Sequence, residues 1–207
     1  MEHSIEMLPH EKASMQGRTL QVDFSWKDFT AKVVGKDDPE AKPVYLVDFK
    51  SLKPHLVFKR AEDESTFGTG SLHTFGIDAD CELNNQSITL KAQKRFKVEY
   101  THQSRTYSDT DEPVTMHWTR DSDFRVWDFI CMDADQSPVA KYSVNCWAFK
   151  KIGTIEFMGP KANSDAVKQE ILVMGLTLYY CVARRSTSIL SFFGALFSQP
   201  SHKSKTE

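Results

Sequence analysis

Along residues 88–100, ITLKAQKRFKVEY, apolar and polar side chains alternate. Ile88, Leu90, Ala92, Phe96, Val98 and Tyr100 take the even positions, and Thr89, Lys91, Gln93, Arg95, Lys97 and Glu99 the odd ones. A period of two marks a strand with one buried face, and only Lys94 interrupts it. Further β-rich runs are TLQVDFSW (19–26), KPVYLVDF (42–49), HLVFKRA (55–61), PVTMHW (113–118), FRVWDFICM (124–132), VAKYSVNCWAF (139–149) and GTIEFMG (153–159). Between them stand KDDPE, FGTG, ELNNQS, RDSD, DADQSP and FKKIG, all of turn chemistry. Many short strands at regular intervals, with a single credible helix, predict a mainly β protein built as an antiparallel closed β-barrel. No period of about 20 to 50 residues repeats, which excludes propellers and solenoids.

The helix lies near the C-terminus, in ILVMGLTLYYCVARRS (171–186). Asn163, Ser164 and Asp165 supply capping chemistry, and the run from Ile171 to Ala183 carries no charge and is apolar on every side. Such a helix must be surrounded. At about 1.5 Å per residue the run covers roughly 20 Å, short of a bilayer core of about 30 Å. Extending it back to Ala166 brings in Lys168 and Glu170, each expensive at a bilayer centre. The predicted solution is a central helix over about 165–185, sheathed by the barrel's inward side chains. Gly175 then marks a close approach of wall to helix, and Arg184 and Arg185 mark emergence into water, where they complement the C-terminal dipole. Beyond them Ile189, Leu190, Phe192, Phe193, Ala195, Leu196 and Phe197 recur at helical spacings, too short a segment to span a bilayer. The expected organisation is a flexible tail at 1–17, a barrel domain at 18–186, a short apolar helical tail at 187–198 set off by the two arginines, and a flexible end at 199–207.

Composition adds limits more than leads. A chain of 207 residues is long enough for one domain with a substantial core, and 40% hydrophobic against 26% charged residues excludes wholesale disorder. A net charge of -2 means that any electrostatic partner must be met by a local patch. The opening MEHSIEMLPHEKASMQG reads as neither a secretory signal nor a transit peptide, so a cytoplasmic setting is expected. Cys81, Cys131, Cys146 and Cys181 form no CxxC pair and are expected as free, mostly buried thiols.

The search for catalytic chemistry names no residue. There is no phosphate loop, no H-E-x-x-H, no G-x-S-x-G and no pair of histidines at i, i+4; the glycines Gly68, Gly70 and Gly76 read as a turn, and His117 as a half-buried strand residue. No cofactor or metal is implied. The pairs Asp78/Asp80, Asp121/Asp123 and Asp133/Asp135 lack the ligand count and rigid loop of a calcium site, and each falls where a hairpin should turn. The basic cluster is different: alternation places Lys91, Arg95 and Lys97 on one exposed strand face, about 7 Å apart for side chains two residues apart, a spacing suited to a multiply charged headgroup. Phe96 and Tyr100 fall on the opposite face and could not stack on a base beside those cations, so nucleic acid is not an expected partner.

The stretches VYLVDFKSLKPHLVFKRA, FGTGSLHTF, VWDFICMDADQSPVAKYS, KKIGTIEFMGPKA and EILVMGLTLYYC together resemble the tubby C-terminal-like superfamily, which includes the phospholipid scramblases. The likeness covers roughly residues 40–185 and is nearest to small tubby-like proteins of filamentous fungi. It implies a barrel around a central helix and a phosphoinositide or other lipid partner. It does not carry over a binding site, because the family's lipid-contacting basic residues do not match positions here one by one. The expected function is therefore a non-enzymatic binding module that associates peripherally with anionic phospholipid through Lys91, Arg95, Lys97, Arg184 and Arg185, with Phe192, Phe193 and Phe197 as membrane contacts. The alternatives are a protein-interaction scaffold and a membrane-anchored protein using residues 171–197.

Overall fold

The computed structural model describes residues 18–25, 27–36, 42–73, 76–95, 97–122, 126–145 and 151–197; within these, side chains are described except at 121, 122, 126, 145, 151, 152 and 186–197. Twelve strands form the sheet: β1 (Thr19–Ser25), β2 (Thr30–Gly35), β3 (Tyr45–Phe49), β4 (Leu56–Arg60), β5 (Thr66–Leu72), β6 (Ala79–Leu83), β7 (Gln86–Ala92), β8 (Glu99–Ser104), β9 (Val114–Ser122), β10 (Val126–Met132), β11 (Pro138–Asn145) and β12 (Lys151–Phe157). Each pairs antiparallel with its neighbours in the chain, and β1 closes on β12 through pairs such as Leu20–Ile155. One helix follows, α1 (Asp165–Phe197).

The helix occupies the barrel interior. Ile171 to Leu178 are buried without a break, and their neighbours come from all round the wall. A Cβ added to Gly68 of β5 would meet Val173 at 2.7 Å, and one added to Gly70 would overlap Thr177. On the other side, Trp118 of β9 lies 3.2 Å from where a Cβ of Gly175 would be, with Tyr142 of β11 at 3.8 Å. Tyr180 meets Phe49 of β3, with ring centroids 5.7 Å apart. Val173 and Gly175 are about 200° apart around a helix of 3.6 residues per turn, so opposite walls are reached at one level. The expected closed barrel around a buried C-terminal helix is the observed fold.

The helix start follows its sequence: Ser164 Oγ accepts from the N–H of Val167 at 3.4 Å, and the Ser164 carbonyl takes the first helical bond from Lys168. Its end does not. The backbone stays helical through Arg184 and Arg185 to Phe197, so the arginines are interior to the helix and do not mark its dipole end. Arginine is a good helix former, and a change from buried to solvated faces does not require a break.

Three strands stand where none was expected. β2 (TAKVVG) has too short an apolar pattern, while β5 (TFGTGSL) and β6 (ADCEL) carry Gly and Asp, residue types that predict turns. Gly68 and Gly70 are in β5 because the helix passes closest there. The long alternating run 88–100 divides into β7 and β8, joined through residues 93–98, with Gln93 N–H donating to the Glu99 carbonyl at 2.8 Å. Lys94, the one break in the alternation, sits in that turn and pairs with Glu99 at 2.8 Å. Trp26, Phe96, Asp123 and Cys146, which figure in the expected strands, turns and thiols, lie outside the described residues; Cys81, Cys131 and Cys181 are free and buried.

A buried, unpaired charge in this interior costs about 3–5 kcal/mol against a total stability of about 5–15. Leu176→Asp is therefore expected to abolish soluble expression, and Gly70→Val to do the same by overlap with Thr177. Solubility, circular dichroism and thermal melting of the two variants check this, and a soluble, folded Leu176→Asp protein would contradict the sheathed helix.

Candidate functional site

Up-and-down connectivity gives the barrel two distinct ends. Odd-numbered strands all run toward one end and even-numbered strands toward the other. α1 follows β12, enters at the even-strand end and runs toward the end that holds the β1–β2, β3–β4, β5–β6 and β7–β8 connections. The contacts agree: Glu170 meets Thr106 after β8, whereas Arg185 meets Ile77, which precedes β6. We refer to these as the entry and exit ends.

Charge separates between them. Among the described residues the exit-end connections carry Lys27, Lys50, Lys53, Lys94, Arg95 and Lys97 against Asp28 and Asp78. The entry-end connections carry Glu62, Asp63, Glu64, Asp109, Asp111, Glu112, Asp133 and Asp135 against Lys36, Lys42, Arg105 and Lys161. Of the three large exposed apolar side chains among the described residues, Leu52 (81% exposed) and Phe29 (57%) also lie in exit-end turns, and Val44 is at the entry end. Near the exit end, burial, the Arg184 guanidinium and the Lys53 ammonium hold the His55 imidazole below its ordinary value, in that order of effect.

The predicted headgroup residues do not share a strand face. Lys91 is on β7 and lies on the barrel wall, while Arg95 and Lys97 are in the exposed turn after it. No salt bridge engages the three among the described residues, whereas Lys94 is taken by Glu99. Arg184 is exposed, with Nη1 3.5 Å from His55 Nε2. Arg185 is committed to the fold: its Nη2 donates to the Ile77 carbonyl and to Tyr100 Oη at 2.6 Å. Burial raises the Tyr100 hydroxyl above its ordinary value. Phe192, Phe193 and Phe197 fall on the last turns of α1, where side chains lie outside the described set.

A second polar feature faces the entry half. Glu170, the one buried carboxylate among the described residues, sits where the apolar run of α1 begins. Its Oε1 takes a hydrogen bond of 2.9 Å from His102 Nε2 on β8, and its Oε2 one from Thr106 Oγ1. Trp118 Nε1–H donates to His102 Nδ1 at 3.2 Å, which places the ring proton on Nε2, aimed at the carboxylate. Burial pushes the Glu170 carboxyl up, but the His102, Thr106 and Ser104 side chains outweigh it and leave the group below its ordinary value.

Glu170 and His102 floor a cleft of about 680 Å³ between β7 and β8. The ladder joining these strands holds only the pairs Lys91–Thr101 and Ala92–Tyr100, against five pairs for β6–β7 and six for β8–β9. Toward the entry end the two strands part, with Lys91 and Arg105 among the lining residues. Neither the seam nor the Glu170 network was found by sequence reasoning, although His102 does continue the inward positions of Tyr100 and could have been placed inside on that ground.

No cluster of three or more His, Cys, Asp or Glu suited to a metal occurs among the described residues. Asp133 accepts backbone bonds from Asp135 and Ser137 at 3.0 and 2.9 Å, the expected hairpin turn. Asp78 accepts from Ala92 N–H, and Asp80 meets His73 at 2.6 Å, so that pair ties strands together. His117 is half-buried on β9 as expected, and burial raises the Cys81 thiol to about 12, which leaves it unreactive. Comparisons with protein-family models, curated proteins and solved structures gave no match to this chain.

The depressed Glu170 carboxyl makes a pH prediction. A carboxylate lowered by folding stabilises above its unfolded value of 4.5, and that contribution disappears as pH falls through the lower folded value. Wild type is expected to lose more stability below pH 4.5 than Glu170→Gln, which keeps an acceptor but cannot titrate. Glu170→Ala should be worse than either at neutral pH, since each orphaned donor costs about 1–3 kcal/mol. Urea unfolding of the three proteins across pH measures both effects.

Proposed function

We propose that this chain is a non-enzymatic, tubby-like binding module that docks its exit end on anionic phospholipid, with phosphoinositides as the preferred headgroups. The observation that carries the reading is the coincidence at one end of unpaired cations, exposed apolar side chains and the outgoing helix. Lys91, Arg95 and Lys97 supply point charges and a guanidinium fork, the combination that suits a multiply phosphorylated ring. Leu52 and Phe29 would enter the headgroup layer, and residues 186–197 of α1 continue from the same end. The acidic entry end would face away from the membrane, which orients the molecule on the surface. The sequence likeness to the tubby C-terminal-like superfamily supports the same kind of ligand, and a cytoplasmic, peripheral location follows from the proposal.

The membrane-anchored alternative has less to draw on. Among the described residues the one segment long and apolar enough to cross a bilayer is Asp165–Arg185, and 72% of its apolar window is buried inside the protein.

The test is cosedimentation of the full chain with vesicles of neutral lipid alone and with added phosphoinositide, at low and high salt. Replacing Lys91, Arg95 and Lys97 together by Glu is expected to weaken association a hundredfold or more, at about 1 kcal/mol for each basic residue removed near the surface. Thermal stability should change little, because all three are exposed. Leu52→Ser is expected to weaken binding at high salt more than at low salt. Unchanged association of the triple variant, or equal binding to neutral vesicles, would overturn the proposal.

A further inference from the structure

The open seam between β7 and β8 shares only Lys91 with the exit-end cluster, and we infer that it accepts an extended, carboxylate-bearing segment of a partner protein as an inserted strand. In an antiparallel ladder, main-chain groups alternate between the two flanking neighbours. The two-residue turn at Asn84 and Asn85, with φ of 48° and 66°, makes Leu83–Gln86 a bonded pair, so the even residues of β7 face β6. The other end of the strand gives the same phase: Ala92 N–H bonds Asp78 on the β6 side, and Gln93 N–H bonds Glu99 on the β8 side. The N–H and C=O groups of Ser87 and Thr89 therefore point at β8, and those of Gln103 point back, in the stretch where the ladder has stopped.

Two facing edges of this kind recognise extended backbone, because nothing else presents donors and acceptors at the same repeat. An insert of about four residues at roughly 3.3 Å each would run along β7 from Gln86 to Leu90. Charge sets the side chain. Lys91 and Arg105 line the cleft, Arg105 with one nitrogen on the Asp111 carbonyl at 3.0 Å and its other donors remaining, and the one lining carboxylate, Glu170, is occupied by His102 and Thr106. An acidic residue in the inserted strand lies between Arg105 toward the open end and Lys91 at the closed end, with no competing anion in the lining.

The experiment uses the full chain without lipid and a short peptide of alternating threonine and valine with one central glutamate, read by amide hydrogen exchange. Exchange at Ser87, Thr89 and Gln103 is expected to slow at least about tenfold on adding peptide. Thr89→Pro, which removes a cleft-facing N–H and spares the β6 ladder, should reduce that protection. Arg105→Glu should weaken binding of the glutamate peptide about tenfold and strengthen binding of its lysine counterpart. No slowing at millimolar peptide, or slow exchange of all three amides in the free protein at every concentration, would overturn the inference. Slowing that grows with protein concentration alone would assign the seam to a second copy and overturn the partner reading. Vesicle association of Thr89→Pro should be unchanged, which separates this site from the basic end.

Discussion

An apolar helix enclosed by a closed sheet is the constraint from which the rest of this molecule follows. A helix with its side chains is about 10 Å across, and a barrel of eight strands is already filled by its own inward side chains. Twelve strands make room for it, but the fit is uneven. Against β5 the helix is so close that Gly68 and Gly70 must lack side chains to admit Val173 and Thr177. Across the barrel the gap is wider, and Trp118 and Tyr142 fill it down to Gly175. Glycine in a strand is ordinarily a weakness, since it adds backbone entropy to the unfolded chain and has nothing to pack. Here the packing comes from the helix, through Val173 and Thr177.

The same enclosure polarises the protein. A single helix after an even number of strands must enter at one end and leave at the other, and among the described residues the two rims carry opposite excess charge. A net charge of -2 conceals this separation entirely. Lys27, Lys50, Lys53, Arg95 and Lys97 are scattered through the sequence, and only the strand order gathers them at one rim. Solvent-exposed cations gathered in this way raise the local potential over a Debye length of about 8 Å, a distance over which a headgroup layer would feel them together.

This explains which features were legible in advance. The central helix could be read because all-round apolarity and insufficient length for a bilayer are properties of one contiguous segment. Most strands could be read for the same reason. β5 and β6 could not, because their composition answers to the helix and to cross-strand ties: Gly68 and Gly70 are spaces for side chains a hundred residues away, and Asp78 and Asp80 bond Ala92 N–H and His73. Lys91, Arg95 and Lys97 were found as a cluster but assigned the wrong geometry, since period-two alternation continues in phase across the turn at 93–98. Arg185 looked like a free cation from its place after an apolar run. Its guanidinium in fact closes the Ile77 and Tyr100 end of the barrel.

Glu170 poses the remaining problem, because a buried carboxylate at the head of an apolar helix is a weak source of stability once desolvation is counted. Its value is better understood as register. Ile171, Leu172, Val173, Met174, Leu176 and Leu178 are apolar on every side, so a rotation or a one-turn slide of α1 would exchange one greasy contact for another at modest cost. Glu170 cannot slide with them: only one position meets both the His102 Nε2–H and the Thr106 hydroxyl, and Trp118 fixes which nitrogen of His102 bears the proton. Moving the helix by one turn, about 5.4 Å, would bury the charge without either donor. Trp118 also packs against Gly175, so the residue that sets the proton sets the depth of the helix as well. The polar network and the glycine contact therefore specify one register of a helix whose apolar surface alone would accept several, and with it the length of α1 that leaves the exit end.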